Sequence, residues 1–221
     1  MSPQKTIRVY KYLDARWGLV ALCDRRLKIS EIGKTNDHWE CQPHDMSNPI
    51  TAHGLQQVIA HFAPTMGLLC FSKVPSSPVM WSHYAAGDEG LCLAFDVPSN
   101  DGNGGELLLE VTYQAALFTS PGTGDFSQED VKRIFLTKNE NWSYEEEIRW
   151  FPSLRDRING LAFMEFGPQL SLCEVLLGPK CTLEAKALRR VLGPEFAKVP
   201  THRTKYSKVM YRVIVDHDHT E

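Results

Sequence analysis

The chain has 221 residues, a length that fits one substantial domain. Its 43% hydrophobic, 10% aromatic and 23% charged residues exclude a disordered, collagen-like or low-complexity chain. Net charge is −3, from 24 basic and 27 acidic residues, so no global positive field draws the molecule to nucleic acid or anionic membrane.

No window holds 18 uninterrupted apolar residues, and Met1-Ser2-Pro3-Gln4-Lys5 lacks the apolar stretch of a secretory signal. The expectation is a cytoplasmic protein with no membrane partner. Cys23, Cys41, Cys70, Cys92, Cys173 and Cys181 sit mostly in apolar runs without C-x-x-C spacing and read as reduced core thiols.

In chain order, β-branched and aromatic residues predict a strand over 7–13, then a helix over 15–24 and a short strand at 27–29. A polar stretch, 31–52, precedes a helix over 53–61 that Pro64 stops. Residues 67–72 read as a buried strand, 78–86 as a helix with proline in its first turn, and 90–97 as a strand entered through a Gly-Asp-Glu-Gly turn. The loop 98–105 is read as a hairpin-like connection to a strand over 107–113. After a second loop, 119–125, Ser127 and Asp130 predict a capped helix over 128–136. Strands follow at 147–151, 161–166, 170–177 and 205–215, with a helix at 183–192 between the last two. About eight strands and four or five short helices, without β-α-β alternation or repeats, predict an α+β fold around a split, mostly antiparallel sheet.

Four segments carry polar residues that a plain core does not require. Alternation puts Tyr10 and Tyr12 on one face of the first strand and Lys11 on the other, so the two rings either flank a planar ligand or cover an edge strand. Cys70-Phe71-Ser72 is followed by Met80-Trp81-Ser82-His83-Tyr84, where Trp81 and Tyr84 form an aromatic ridge that serves as core or as a ligand wall. If residues 145–149 are extended, Glu145, Glu147 and Arg149 share a face, as a bidentate site or a solvated charged strand. Glu174 interrupts the apolar run from Leu170 to Leu177, and an unpaired buried carboxylate is costly. It needs a cavity or a partner such as Lys180, Arg149 or a tyrosine hydroxyl. His38, Cys41 and His44, with His53 beyond, have ligand types at close spacing, but structural zinc takes four ligands at recognised spacings, so no metal is assigned. His217-Asp218-His219 reads as a frayed tail. P-loop, G-x-G-x-x-G, G-x-S-x-G and H-E-x-x-H patterns are absent from the sequence.

Together, Tyr10 to Tyr12, Asn36-Asp37, Cys70 to Ser72, Met80 to Ala85, Gly90 to Asp96, Trp142 to Arg149 and Glu174 to Gly178 resemble a bacterial family of uncharacterised proteins, domain of unknown function 2971. His38 departs from that family's pattern, which has proline there. The order of an aromatic strand, a Phe-Ser strand leading to a Met-Trp-x-x-Tyr helix, and a late Glu-Val-Leu strand before Gly-Pro is also similar to ADP-ribosyltransferases. That resemblance implies an ADP-ribosyltransferase-like split sheet that holds NAD as co-substrate. It implies Glu174 as the carboxylate stabilising the ribosyl cation, Tyr10 or Tyr12 in place of the superfamily's His or Arg, and Ser72 seating the ribose. Trp81 or Tyr84 would pack the nicotinamide, and Lys11 and Arg149 would face the pyrophosphate, with Glu147 beside them. It also implies a toxin or phage-defence effector acting on protein, nucleic acid or water. Two alternatives belong to other classes: a metal-dependent nuclease or phosphodiesterase using Glu145, Glu147 and Asp37, and a non-catalytic nucleotide-binding or sensing module.

Overall fold

The computed structural model describes residues 5–34, 37, 39–100, 107–119, 122–154 and 156–217. Asn36, His38, Asp218 and His219 lie outside the described residues, so the Asn36-Asp37 pair, the His38 group and the tail are seen only in part. The first half of the chain gives β1 (Thr6–Leu13), α1 (Ala15–Asp24), β2 (Arg26–Lys28), β3 (Ser30–Glu31), α2 (Pro49–Phe62), β4 (Gly67–Ser72), α3 (Pro78–Tyr84) and β5 (Leu91–Pro98). The second gives β6 (Leu109–Glu110), β7 (Thr112–Gln114), α4 (Gln128–Leu136), β8 (Thr137–Asn139), a 3-10 turn (Glu140–Glu145), β9 (Glu147–Trp150), β10 (Arg157–Ile158), β11 (Leu161–Glu165), β12 (Ser171–Leu177), α5 (Ala185–Leu192), β13 (Thr201–Tyr206) and β14 (Val213–Val215).

Short polar residues start the helices because their side chains accept the first unpaired N–H groups. Asp14, Asn48 and Ser77 do so for α1, α2 and α3, and Ser127 and Asp130 form the expected reciprocal capping box of α4. The Asn48-Pro49 signal begins α2 earlier than apolar periodicity alone predicts.

Several expectations are corrected by long-range pairing. The strand expected over 107–113 breaks into β6 and β7 at Val111, whose N–H goes to Glu147 O. β6 pairs with β9 and β7 with β8, so the 98–105 loop does not make a hairpin with β5. The strand expected over 205–215 is two antiparallel strands, β13 and β14. Residues 140–145 coil into a 3-10 turn, so Glu145 does not share the extended row considered for 145–149.

The principal sheet is mixed but mostly antiparallel, with order β14-β13-β12-β5-β1-β4-β9-β6 and β3 added beside β4. Only β12 and β13 run parallel within it. One face carries Val9, Phe71, Leu93, Phe95, Ile148, Val175 and Leu177, which pack with Leu22 of α1 and Leu188 of α5. The opposite face carries Tyr12, Cys92 and Leu176 beneath Met80 and Trp81 of α3. A bulge between Leu172 and Glu174 breaks the period-two alternation along β12. Leu172 therefore joins Val175 and Leu177 in the main core, while Glu174 and Leu176 keep the other face.

Candidate active site

β1 and β5 are registered along the whole of β1, from Thr6 opposite Pro98 to Leu13 opposite Leu91, but β1 and β4 share one registered pair, Tyr10 opposite Ser72. Next to that pair Lys11 reaches across and donates from Nζ to Cys70 O at 2.9 Å. A cavity of about 220 Å³ opens at this divergence. Tyr10, Tyr12, Ser72, Tyr84, Glu145 and Glu147 line it, and Lys11, Lys34 and Lys138 bring positive charge to its wall.

The register explains the convergence. Tyr10 on β1 lies opposite Ser72 on β4, and Ser72 lies opposite Glu147 on β9, so three neighbouring strands present a phenol, a hydroxyl and a carboxylate in one row. Ser72 Oγ is held in a tight turn, donating to Val74 O at 3.1 Å and accepting from Val74 N at 3.2 Å.

Behind this row lies a buried charge cluster of three carboxylates and two cations. Glu147 accepts two hydrogen bonds from Arg149, at 2.8 and 3.0 Å, and a third from Lys138 Nζ at 3.4 Å. Lys138 also donates to Glu145 at 2.6 Å, and the hydroxyl of Tyr84 donates to the other Glu145 oxygen. Arg149 donates to Phe135 O at 2.6 Å and pairs with Glu40 at 2.7 Å, although Glu40 Oε1 lacks hydrogen-bond alignment. The Trp142 ring lies over Lys138 Nζ, 4.7 Å from its centroid. Glu147 N donates to the Tyr113 hydroxyl at 2.8 Å, which fixes the start of β9.

These surroundings drive the two neighbouring glutamates apart. Burial pushes Glu147 up, but the charge and hydrogen bonds of Arg149 outweigh it and hold the group well below the usual carboxylate range. Burial prevails at Glu145, raising it despite Lys138 and Tyr84. The two neighbours thus shift in opposite directions, Glu147 below and Glu145 above the ordinary carboxylate value.

Among the expected site residues, Tyr10, Lys11, Tyr12, Ser72, Tyr84 and Glu147 come together around the cavity. Two assignments are corrected. Trp81 is 0% exposed and donates its indole N–H to Pro75 O at 2.8 Å, with its ring edge-on to Tyr12 at 5.2 Å, so it is core beneath the site and not a ligand wall. Arg149 is also 0% exposed and is engaged by Glu147, Glu40 and Phe135, so it cannot reach a pyrophosphate. Tyr12 presents a ring but not a reactive hydroxyl: its OH donates to Val74 O at 2.9 Å, and burial raises its pKa.

Glu174 stands apart from the cavity wall. It lies opposite Ala94, which lies opposite Tyr10, and its carboxylate is 3.8 Å from His202 Nε2. Lys180, expected as a partner, pairs instead with Asp88 at 3.0 Å. Lys138, Glu40, Tyr113 and Lys34 were missed by sequence reasoning. Lys138 follows a helix terminus, and Glu40 and Lys34 fall in the irregular stretch between β3 and α2, where no periodicity assigns a face. His44 and Cys41 are buried, and among the described residues no group of three or more His, Cys, Asp or Glu is arranged to hold a metal ion.

No helix among the described residues is long and apolar enough to cross a membrane. No family model matches the chain, and no match to it is found among the curated proteins or the solved structures.

Proposed function

We propose that the chain is an NAD-dependent ADP-ribosyltransferase-like enzyme that breaks the nicotinamide-ribose bond at the β1-β4 divergence and passes ADP-ribose to a macromolecule or to water. The observation that carries this reading is the registered row Tyr10, Ser72, Glu147 facing one cavity.

The nicotinamide of NAD leaves as a neutral ring from an already cationic one, so the leaving group needs no acid. The demand falls on the ribose, which gains oxocarbenium-like charge in the transition state. Glu147, ionised and held by Arg149 in a low-dielectric setting, answers that demand without reorganising. It takes the role that the sequence resemblance assigned to Glu174. Tyr10 and Tyr84 give the nicotinamide ring aromatic walls, and Ser72 faces the ribose. Lys11 and Lys34 take the diphosphate, in place of Arg149. A second cavity of about 470 Å³, beside Trp17 and Phe163, shares Lys11 and Ser30 with the first, which suits a dinucleotide better than a mononucleotide.

The metal-dependent phosphodiesterase reading is weaker on electrostatic grounds. A divalent cation would have to displace Lys138 and Arg149 from the oxygens of Glu145 and Glu147 to be ligated, whereas the ribosyl cation requires only the negative field of Glu147. A toxin or defence effector remains part of the proposal, drawn from the sequence resemblance.

The test is incubation with adenylate-labelled NAD and separate protein, RNA and DNA pools, following nicotinamide release and label transfer. The reading predicts release by the wild type and a loss of about 10²–10³-fold in Glu147→Gln, with an unchanged circular dichroism spectrum. A wild type that releases no nicotinamide and labels no pool would sink it in favour of a binding module.

A further inference from the structure

The charge cluster has a third cavity on its flank that the reaction proposed above does not use. It holds about 220 Å³, and Lys138, which walls the donor cavity, lines it too. Trp39 and Glu40 are neighbours in sequence, yet Trp39 lines this cavity and Glu40 the donor cavity. Backbone hydrogen bonds hold the frame. β7 and β8 run parallel with Gln114 opposite Asn139. Phe118 N donates to Pro43 O at 2.7 Å and Asp45 N to Phe118 O at 2.8 Å, which ties residues 115–117 to the turn that carries Trp39. Within that turn Gln42 N donates to Trp39 O at 3.0 Å, and Cys41 takes a left-handed backbone, φ 61°, that disfavours a residue with a Cβ. Such a conformation persists only where its surroundings hold it.

The lining has two kinds of group. Trp39 is 53% exposed, with Ala115, Ala116 and Leu117 exposed beside it, so an aromatic face and an apolar floor meet water at the cavity. Gln42, Gln114 and Asn139 add three primary amides, each both donor and acceptor. The Asn139 carboxamide oxygen accepts from Asn141 N at 3.0 Å, which sets that amide's orientation. Among the described residues of the lining there is no carboxylate, and the one cation, Lys138, is already engaged by Glu145 and Glu147. Neither a metal ion nor a phosphate finds a ready counter-charge in such a wall. A volume below the roughly 300–1,000 Å³ of drug-sized sites admits one ring system, with any sugar left outside.

We propose that this cavity is a binding site for an adenine ring, separate from the donor cavity. Trp39 supplies the stacking face. The amides of Gln42, Gln114 and Asn139 supply the paired donor and acceptor that a primary amide offers to the N6 amino group and N7 of adenine. Free nucleosides, nucleotides and single-stranded nucleic acid share that ring.

The test reads the site itself. Trp39 is one of five tryptophans, and its indole N–H resonance is assigned by its absence from the nitrogen-15 spectrum of Trp39→Ala. Adenosine should shift that resonance in the wild type and in Tyr10→Ala alike, and bind Gln114→Leu at least about fivefold more weakly, with an unchanged circular dichroism spectrum. Inosine, which has no N6 amino group, should bind the wild type at least about fivefold more weakly than adenosine. AMP should match adenosine within about threefold, because the lining offers a phosphate nothing. An oligoadenylate at least about tenfold tighter per base than adenosine identifies a base within a strand, and equal affinity a free nucleoside. A Trp39 resonance that does not move at millimolar adenosine, or that moves equally with inosine, overturns the site. NAD affinity should be the same in Trp39→Ala as in the wild type, and a loss there would overturn the separation of the two cavities. A wild type that binds adenosine at Trp39 but binds no NAD removes the donor reading and leaves this site standing.

Discussion

At the residue scale, Glu147 and Glu145 show how one charged cluster can pull two identical side chains in opposite directions. Glu147 has a folded-state pKa below its ordinary value near 4.5, so its ion pair contributes stability that is fully present above about pH 4.5 and is lost as pH falls towards about 2. Glu145 carries the opposite sign. Its folded-state pKa is raised, so its ionised form costs stability at neutral pH, and that cost lifts as the group is protonated. Removing one partner of a buried pair leaves the others uncompensated, so Glu147→Gln should destabilise by about 3–5 kcal/mol at pH 7. Denaturant unfolding of both chains from pH 7 to pH 3 checks this: the gap should narrow as pH drops below about 4.5. A gap independent of pH would mean that Glu147 is not the ionised member. Glu145 leaves the expected row for the 3-10 turn, but the pairing of Glu147 with Arg149 was legible in the sequence as a same-face pair. Lys138, which ties the two glutamates together, was not, because it reaches them from another strand.

At the element scale, the local signals were strong where chain and backbone chemistry agree. The bounds of α1, β4 and α4 follow from caps and apolar runs, and each matches expectation. What local pattern could not show was the bulge in β12, since an extra residue in a strand leaves alternation looking intact on both sides. The Gly178 that closes the Glu-Val-x-x-Gly motif has a plain packing reason. An added Cβ would sit 2.1 Å from Asp88 O and 3.1 Å from Gly90 O, both backbone atoms that cannot turn away. Gly178 N also donates to Gly90 O at 2.9 Å, so this contact joins the end of β12 to the entry of β5 and fixes how Glu174 lies beside Ala94. Gly178→Ala should therefore cost about 2 kcal/mol or more, a fall in Tm of about 4–8 °C by scanning calorimetry. An unchanged Tm would show that the two strand ends can separate without loss.

At the scale of the whole molecule, an α+β architecture with a mostly antiparallel sheet was readable from the mixture of short strands and helices. The order of strands was not. Sheet order is set by pairing between residues far apart in sequence, such as Glu147 with Ser72 and Glu174 with Ala94, and a single chain carries no local record of those partners. For the same reason the sequence resemblance assigns the proposed carboxylate to β12. From sequence, Glu174 is the lone acid in an apolar strand, and nothing shows that β9, rather than β12, lies beside β4. The cavity lies on the β4 and β9 side of β1, and the Glu174-His202 pair on the β5 and β12 side.

The central claim is that the cavity at the β1-β4 divergence is an NAD site, and calorimetric titration of NAD into wild type and Tyr10→Ala tests it most directly. The account predicts one NAD per chain for the wild type and affinity weakened at least about fivefold in Tyr10→Ala, whose lost ring is worth roughly 1–3 kcal/mol of stacking. No heat of binding at millimolar NAD, or equal affinity in the two proteins, would contradict it.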